Sequence, residues 1–299
     1  MFSAEEKKME KLYESLDLLK SMYQIARVVD PVFKKVLEYK IGFLDHEDNH
    51  CYDFWQKGEL CENCISMKAY NENDIFIKME YLQGKIYMIT AVPLNIENRK
   101  LVLEMLKDIT GSIVVSELGN ENNIELENYI KQLNELAIKD SLTGIFNRRY
   151  INERLPAEMI KSGVAQEPLS IIMADIDHFK KVNDNFGHTA GDHILKEFAL
   201  LLEKNIRSGK DWVARYGGEE FLVCLTDTSK DVAKQVAERM RKATEEKVFE
   251  YAGINLKITA SFGVCTAEGN PDLSFEGFLQ SADKNLYTAK KTGRNRVIA

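Results

Sequence analysis

The chain reads as an α+β protein in which a C-terminal antiparallel sheet flanked by helices is preceded by a smaller α/β domain and a linker helix. Three observations predict this. At 299 residues the length suggests two domains, by the usual prior of roughly 100–200 residues each. Gly217-Gly218 lies between residues 211–216, which alternate apolar with polar, and the short apolar run 221–225, as in a tight β-hairpin. Apolar residues also recur at steps of three and four in two stretches, about residues 4–28 and 124–139, which is the period of an amphipathic helix.

Taken in order, Met9, Leu12, Leu16, Leu19 and Tyr23 form the seam of an N-terminal helix over residues 1–28, and Asp30-Pro31 marks its end or a bend. Such a helix at a chain end suits pairing of two copies as well as packing on its own domain. Residues 29–112 are mixed α/β and close with two strand-like runs, 85–94 and 101–110, joined through polar residues 95–100. Residues 119–123, Gly-Asn-Glu-Asn-Asn, are a break. Leu126, Ile130, Leu133 and Ala137 then step by four, three and four along a helix rich in Glu, Lys and Asn. That helix is too polar for a core and too periodic for a loose tether, so the linker 113–139 is predicted to form a short parallel coiled coil, with packing on its own domain as the alternative. In residues 140–299 the expected order is strand (169–174), helix (183–206), strand–hairpin–strand (212–226), helix (229–247), strand (255–265) and helix (274–291). This is close to a split βαβ arrangement.

Composition narrows the function classes. With 44% hydrophobic and 29% charged residues and only 5 prolines, the chain has the make-up of an ordinary soluble protein. A net charge of −7 argues against nonspecific binding of nucleic acid or anionic lipid. Residues 1–8 hold no apolar signal region, and no stretch approaches the roughly 18 apolar residues of a membrane span. The expectation is a cytoplasmic protein, in which structural disulfides are rare.

The chemistry centres on acids. Glu219 and Glu220 sit on the hairpin, where taken alone they read as a solvated turn. Asp175 alters that reading, because it follows the apolar run 169–173 and is therefore fixed at the end of a predicted central strand. If that strand pairs beside the hairpin, Asp175 and Glu219 converge. Two hard oxygen ligands and a backbone carbonyl, with water and substrate phosphates at the other positions, suit Mg²⁺. Phosphoryl or nucleotidyl transfer is the implied chemistry.

Residues 140–149 (Asp-Ser-Leu-Thr-Gly-Ile-Phe-Asn-Arg-Arg), 175–180, 183–188, Gly191-Asp192, 215–221, 261–264 and the stretch from Ala282-Asp283 through Arg294-Asn295-Arg296 resemble, in order, the signature of the GGDEF diguanylate cyclases. The resemblance covers about residues 140–299, a little over half the chain. It implies a polymerase-palm-like fold and condensation of two GTP into cyclic di-GMP by two-metal chemistry with Mg²⁺ or Mn²⁺. Carried over residue by residue, it makes Asp175 and Glu219 metal ligands with the carbonyl of Ile176. Glu220 becomes a further ligand or an aid to deprotonating the 3′-hydroxyl. Asn183 and Asp192 match the guanine-reading pair, although Asn183-Asp184 in isolation reads as a helix N-cap. Lys180, Lys290 and Arg294 match the positions holding the β- and γ-phosphates, with backbone N–H groups around His178 and Phe179, and Gly218 lies beside the substrate. Arg148 and Arg149 match an entry motif and read as anchors for the linker. Because each site holds one GTP, a homodimer is implied.

One departure is informative. Many members carry an Arg-x-x-Asp pair that binds inhibitory cyclic di-GMP, and here the matching positions are Ser208 and Asp211, with Arg207 out of register. A non-catalytic GTP-binding regulatory module is the alternative reading of the domain, and the intact acidic and basic set speaks against it. Upstream, the paired strands closing on Asp108-Ile109-Thr110 resemble the C-terminal half of a PAS sensor domain. Three of the 5 cysteines, Cys51, Cys61 and Cys64, cluster near His46 and His50. They are expected to make a metal or redox site in the sensor, a Cys₃His site for Zn²⁺ ahead of an iron centre, with a redox dithiol or plain packing as alternatives. Cys224 and Cys265 lie in apolar runs and read as core.

Overall fold

The computed structural model describes residues 22–41, 50–55, 61, 63–96, 99–110, 123–268 and 273–299. The chain divides into two compact units, one reaching to Glu135 and the other spanning Leu136–Ala299.

In the first unit, strands β1 (Ile25–Asp30), β2 (Lys35–Ile41), β3 (Phe76–Leu82), β4 (Lys85–Ile96) and β5 (Arg99–Asp108) form an antiparallel sheet in the order β2-β1-β5-β4-β3. Helix α1 (Ile65–Glu72) buries Met67 and Ala69, and apolar clusters form around Val29, Ala69, Ala91 and Val102 and around Phe54, Trp55, Ile89 and Leu106. The predicted N-terminal helix needs correction at its C-terminal end. Met9, Leu12, Leu16 and Leu19 lie outside the described residues, but Ile25–Asp30 is a strand, so the sheet begins ahead of the boundary expected at residue 29. The β-branched Ile25, Val28 and Val29 suit a pleated, buried surface. Arg27 interrupts them and is itself buried, because it sits opposite Glu104 in the β1–β5 register and pairs with it.

Helix α2 (Asn123–Ile138) falls where the linker helix was expected. Its seam is divided: Ile130 is buried, whereas Leu133 is exposed. Asn134 donates to the Met79 carbonyl at 3.2 Å and accepts from the Asn63 amide at 3.2 Å, so part of this helix packs on its own chain.

The second unit comprises α3 (Arg148–Ala165), β6 (Leu169–Ile176), α4 (Phe179–Phe186), α5 (His188–Glu203), β7 (Trp212–Gly217), β8 (Glu220–Leu225), α6 (Lys230–Glu246), β9 (Phe249–Tyr251), β10 (Ile254–Leu256), β11 (Ala260–Ala267), α7 (Phe275–Lys291) and β12 (Val297–Ile298). Its sheet runs β12-β11-β6-β8-β7, antiparallel except for the β11–β12 pair. All of β6 is buried, as a strand covered on both faces must be. Ile172, Ala174 and Ile176 pack with Phe198, Leu202, Ala237 and Met240 of α5 and α6, while Ile171 and Met173 pack with Leu155, Phe278 and Leu286 of α3 and α7.

Two predicted elements differ and one helix is additional. The single helix expected over 183–206 is two helices, broken at Gly187, whose φ of 84° is left-handed. The strand expected over 255–265 is the β9–β10 hairpin followed by β11. Helix α3 had no predicted counterpart, since Pro156 inside it interrupts the helical pattern.

Candidate active site

Side chains alternate along a strand, so Asp175 shares a face with Ile171 and Met173 and points toward α7. In register it lies opposite Glu220 of β8 on one side and Ser261 of β11 on the other. Asp175 is thus directly paired with Glu220, while Glu219 occupies the turn between Gly217 and Glu220. Only one glycine of the pair supplies a positive φ, Gly218 at 55°. A register irregularity between Arg215 and Gly217 tightens the hairpin end. Arg215 braces the turn, with Nε donating to the Gly218 carbonyl at 2.9 Å and NH1 reaching the Asp140 carboxylate at 3.1 and 3.3 Å.

Helix α7 reaches this corner because β11 carries Gly263. A Cβ there would lie 2.2 Å from the Leu286 nitrogen and 2.3 Å from the Ala282 carbonyl oxygen, so only glycine lets the helix sit directly on the strand. Lys290, near the end of α7, consequently places its Nζ 2.7 Å from Asp175 Oδ2. Burial pushes the Asp175 carboxyl up to about 6; Lys290 opposes this, and Glu219 and Glu220 add to it. Glu220 is also raised, first by burial, against Lys290, with Asp283 and Glu219 pushing the same way as burial and Arg148 opposing. Four carboxylates therefore face two cations. Carboxylates that oppose one another's ionisation gain from a divalent cation and oxygen donors suit Mg²⁺ or Mn²⁺, although no three of these side chains are arranged around one ion position.

Asp283 and Arg148 had no site role in the sequence reading. Asp283 precedes Lys290 by seven residues, two turns along the same helix face, and that spacing was the available signal. Arg148, expected to anchor the linker, stacks over the Tyr216 ring at 4.5 Å and acts on Glu220. Arg149 pairs locally with Glu153 at 2.9 Å.

The two residues predicted to read the base lie on successive helices. Asn183 lies within α4, so it is not an N-cap, and its side chain lies against Gly191, where an added Cβ would fall 1.9 Å from Asn183 Oδ1. Asp192 follows on α5 and is exposed. His178 caps α4 with a left-handed φ of 57° and an exposed side chain, Phe179 is buried, and Lys180 is exposed. Ile176 ends β6 beside Asp175, and Arg294 lies exposed on the turn after α7.

Among the described residues the expected zinc site is not assembled, and no group of three His, Cys, Asp or Glu side chains is arranged to hold a metal ion. His50 stacks on Tyr52 with ring centroids 5.1 Å apart and faces Asp53 at 3.6 Å, while His46 lies outside the described residues. Burial, and then Glu104, pushes the Cys51 thiol up; burial and Cys64 push that of Cys61 up to about 12. Cys224 is buried in the core and Cys265 half-buried.

Residues 137–296 match the family model described as "Diguanylate cyclase, GGDEF domain". Response regulator PleD of Caulobacter vibrioides is 42% identical over 175 residues, which is 58% of this chain and 38% of that protein. Diguanylate cyclase A of Treponema denticola is 34% identical over 273 residues, covering 86% of this chain and 68% of its own length. Among solved structures, the coiled coil and GGDEF domain of DgcB from Caulobacter crescentus, in complex with c-di-GMP, superposes with a TM-score of 0.55 at 28% identity, over 58% of this chain and 92% of that one. The matched model spans just over half of the chain, and the chain belongs to the GGDEF family of diguanylate cyclases.

Proposed function

We propose that the protein condenses two GTP into cyclic di-GMP and two pyrophosphates, gated by a PAS-like sensor in its first unit. The observation that carries this reading is the meeting of Asp175, Glu219 and Glu220 with Lys290 at one end of the sheet. In this reading Asp175, Glu219 and the Ile176 carbonyl hold Mg²⁺ or Mn²⁺, with Glu220 beside them. Ions held by these oxygens would supply Lewis acidity, favouring deprotonation of the attacking 3′-hydroxyl and screening charge on the α-phosphate. Lys180, Lys290, Arg294 and the backbone N–H groups at His178 and Phe179 bind the β- and γ-phosphates, next to Gly218. Asp192 and Asn183 bind the guanine edge, where the carboxylate accepts from N1–H and N2–H₂. ATP lacks that edge and would leave the acid unpaired.

Two half-sites must face each other, so the working form is a homodimer. Exposed Tyr129, Leu133 and Leu136 on α2 support a helix-mediated pair. The antiparallel five-stranded sheet carrying α1 supports a PAS-like sensor. The cytoplasm, where GTP is made, is the proposed location, and among the described residues no helix is long and apolar enough to cross a membrane.

Incubation of the purified chain with GTP and Mg²⁺, with products resolved by mass spectrometry, is expected to show cyclic di-GMP and pyrophosphate. Recovery of GTP unchanged, or of GDP, would defeat the reading. Activity per protomer should fall on dilution, and a monomer shown by light scattering to cyclise GTP at full rate would remove the dimer from it.

A further inference from the structure

Asp177 has no role in the reaction as described above, yet it is one of the most heavily bonded side chains of the second unit. It is 5% exposed. Its Oδ1 accepts from Ser261 Oγ at 2.7 Å, and its Oδ2 accepts from Thr259 Oγ1 at 2.7 Å and from the backbone N–H of Asn295 at 3.0 Å. Its own N–H donates to the Thr259 carbonyl at 2.9 Å. Three of these bonds tie the end of β6 to the start of β11. The fourth crosses to the turn after α7.

That turn is strained. Gly293, Arg294 and Asn295 have φ of 125°, 61° and 46°, so two consecutive side-chain-bearing residues are left-handed. Such a pair persists only where its surroundings hold it. Asn295 is held at both ends: Asp177 takes its backbone N–H, while its side-chain amide donates to Glu245 Oε1 at 2.7 Å and accepts from Arg241 at 2.9 Å. Arg294 stands between Gly293 and this anchored residue, and its N–H closes the end of α7 on the Ala289 carbonyl at 2.9 Å. The backbone that aims Arg294 is therefore fixed by a carboxylate two residues beyond Asp175.

We infer that Asp177 is a positioning residue for the triphosphate: it locks the 293–295 turn so that Arg294 stands at a set distance from the acidic end of β6. The inference rests on Arg294 being a phosphate-binding residue. It sets Asp177 apart from Asp175, which it resembles in sequence, as a carboxylate whose oxygens are committed to protein donors.

The test measures the affinity of the full chain, with Mg²⁺, for 3′-deoxy-GTP, which lacks the attacking hydroxyl, and for GMP, which lacks the β- and γ-phosphates. Asp177→Asn, which sets amide hydrogens against existing donors, should weaken 3′-deoxy-GTP by roughly tenfold and leave GMP within about twofold. In an Arg294→Ala background the same change should add less than about twofold, because it acts through Arg294. Asn295→Ala, which disfavours φ near 46°, should reproduce the selective loss, and Asn295→Gly should recover most of it. Equal weakening of both ligands, or a full additional effect on top of Arg294→Ala, would make Asp177 merely structural and overturn the inference. If Asp177→Asn does not fold, the Asn295→Ala and Asn295→Gly pair decides, and failure of glycine to recover selectivity is then the overturning result. If Arg294→Ala itself leaves triphosphate selectivity unchanged, the phosphate reading fails and the inference with it. If Arg294→Ala lowers selectivity while the Asp177 and Asn295 variants do not, the inference alone fails.

Discussion

Each unit places a carboxylate on a central strand and a basic side chain against it, yet the two pairs have different fates. In the first unit Glu104 takes the Arg27 Nε at 2.8 Å on one oxygen and the Ser66 hydroxyl on the other, all within the core. In the second, Asp175 has Lys290 at 2.7 Å, but Glu219, Glu220 and Asp283 crowd the same corner. One acid matched to one base and a hydroxyl is a closed arrangement. An excess of acids held together by the fold is an open one, able to take a cation; burial first, and then Glu219 and Glu220, push the Asp175 carboxyl to about 6 against Lys290.

The sharpest break of this comparison is at the open corner. Glu219→Ala should lower cyclase turnover by about a thousandfold, the scale seen when a group serving transition-state charge is removed. Glu219 sits on the turn outside the core, so its urea midpoint should hardly move. A rate within tenfold of wild type would show that the hairpin acid is not part of the site. At the closed pair the effect should fall on stability instead. Glu104→Ala strands the Arg27 guanidinium in the interior and should cost about 3 kcal/mol or more. The chain has 2 tryptophans, Trp55 in the first unit's core and Trp212 in the second's, so single-tryptophan versions report each unit's urea transition separately. A lowered Trp55 transition with an unchanged Trp212 transition is expected.

The same contrast explains what was legible in the sequence. Asp175 and the hairpin acids could be read because local signals flank them, an apolar run before one and a glycine pair before the others. Glycine at 187 likewise breaks the chain into two helices, a signal lost within a long periodic stretch. Strand β1 was hidden because Arg27 looks like surface until its partner is known, and that partner is 77 residues away. Asp283 reads as a solvated helix acid until Gly263 lets α7 settle on β11. The cysteine cluster failed for the opposite reason: Cys51, Cys61 and Cys64 have ligand-like spacing, but spacing carries no information on burial or on where His50 turns.

A smaller effect sharpens the cost of leaving the corner open. Asp175 titrates near 6 when folded against an ordinary 3.8, so between those values the folded state holds the proton more tightly than the unfolded one. Ionised Asp175 thus lowers stability as pH rises; the cost is absent below about pH 4 and complete above about pH 6. Asp175→Asn removes it but also takes the counter-charge from Lys290. In metal-free buffer the variant should be more stable than wild type by about 1–2 kcal/mol at pH 7 and no more stable at pH 4, while cyclase activity is lost. A variant less stable at pH 7 would mean that Lys290 fully offsets burial and that the corner is closed after all.

The smallest effect concerns Arg207, which resembles the closed pair in miniature. Its Nε and NH2 grip Asp211 at 2.8 and 2.7 Å, and NH2 also reaches the Thr226 carbonyl and, at 2.9 Å, the Thr228 hydroxyl. Asp211 accepts two backbone N–H groups as well, from Arg207 at 3.0 Å and Thr226 at 3.2 Å. Both members of the pair are spent on their own chain, and Ser208 stands where the inhibitory arginine is expected. Cyclic di-GMP should therefore inhibit initial rates only weakly, and submicromolar inhibition would contradict this. Because the Arg207 side chain is 47% exposed, Arg207→Ala should cost no more than about 1 kcal/mol in the Trp212 transition and leave inhibition unchanged. It should also free Asp211. Adding Ser208→Arg to that variant places a guanidinium three residues ahead of the freed acid, and inhibition by cyclic di-GMP should then tighten by at least about tenfold, the scale of a charge-assisted bidentate contact to phosphate. If the double variant is no more sensitive than wild type, the missing arginine is not what sets product inhibition in this chain.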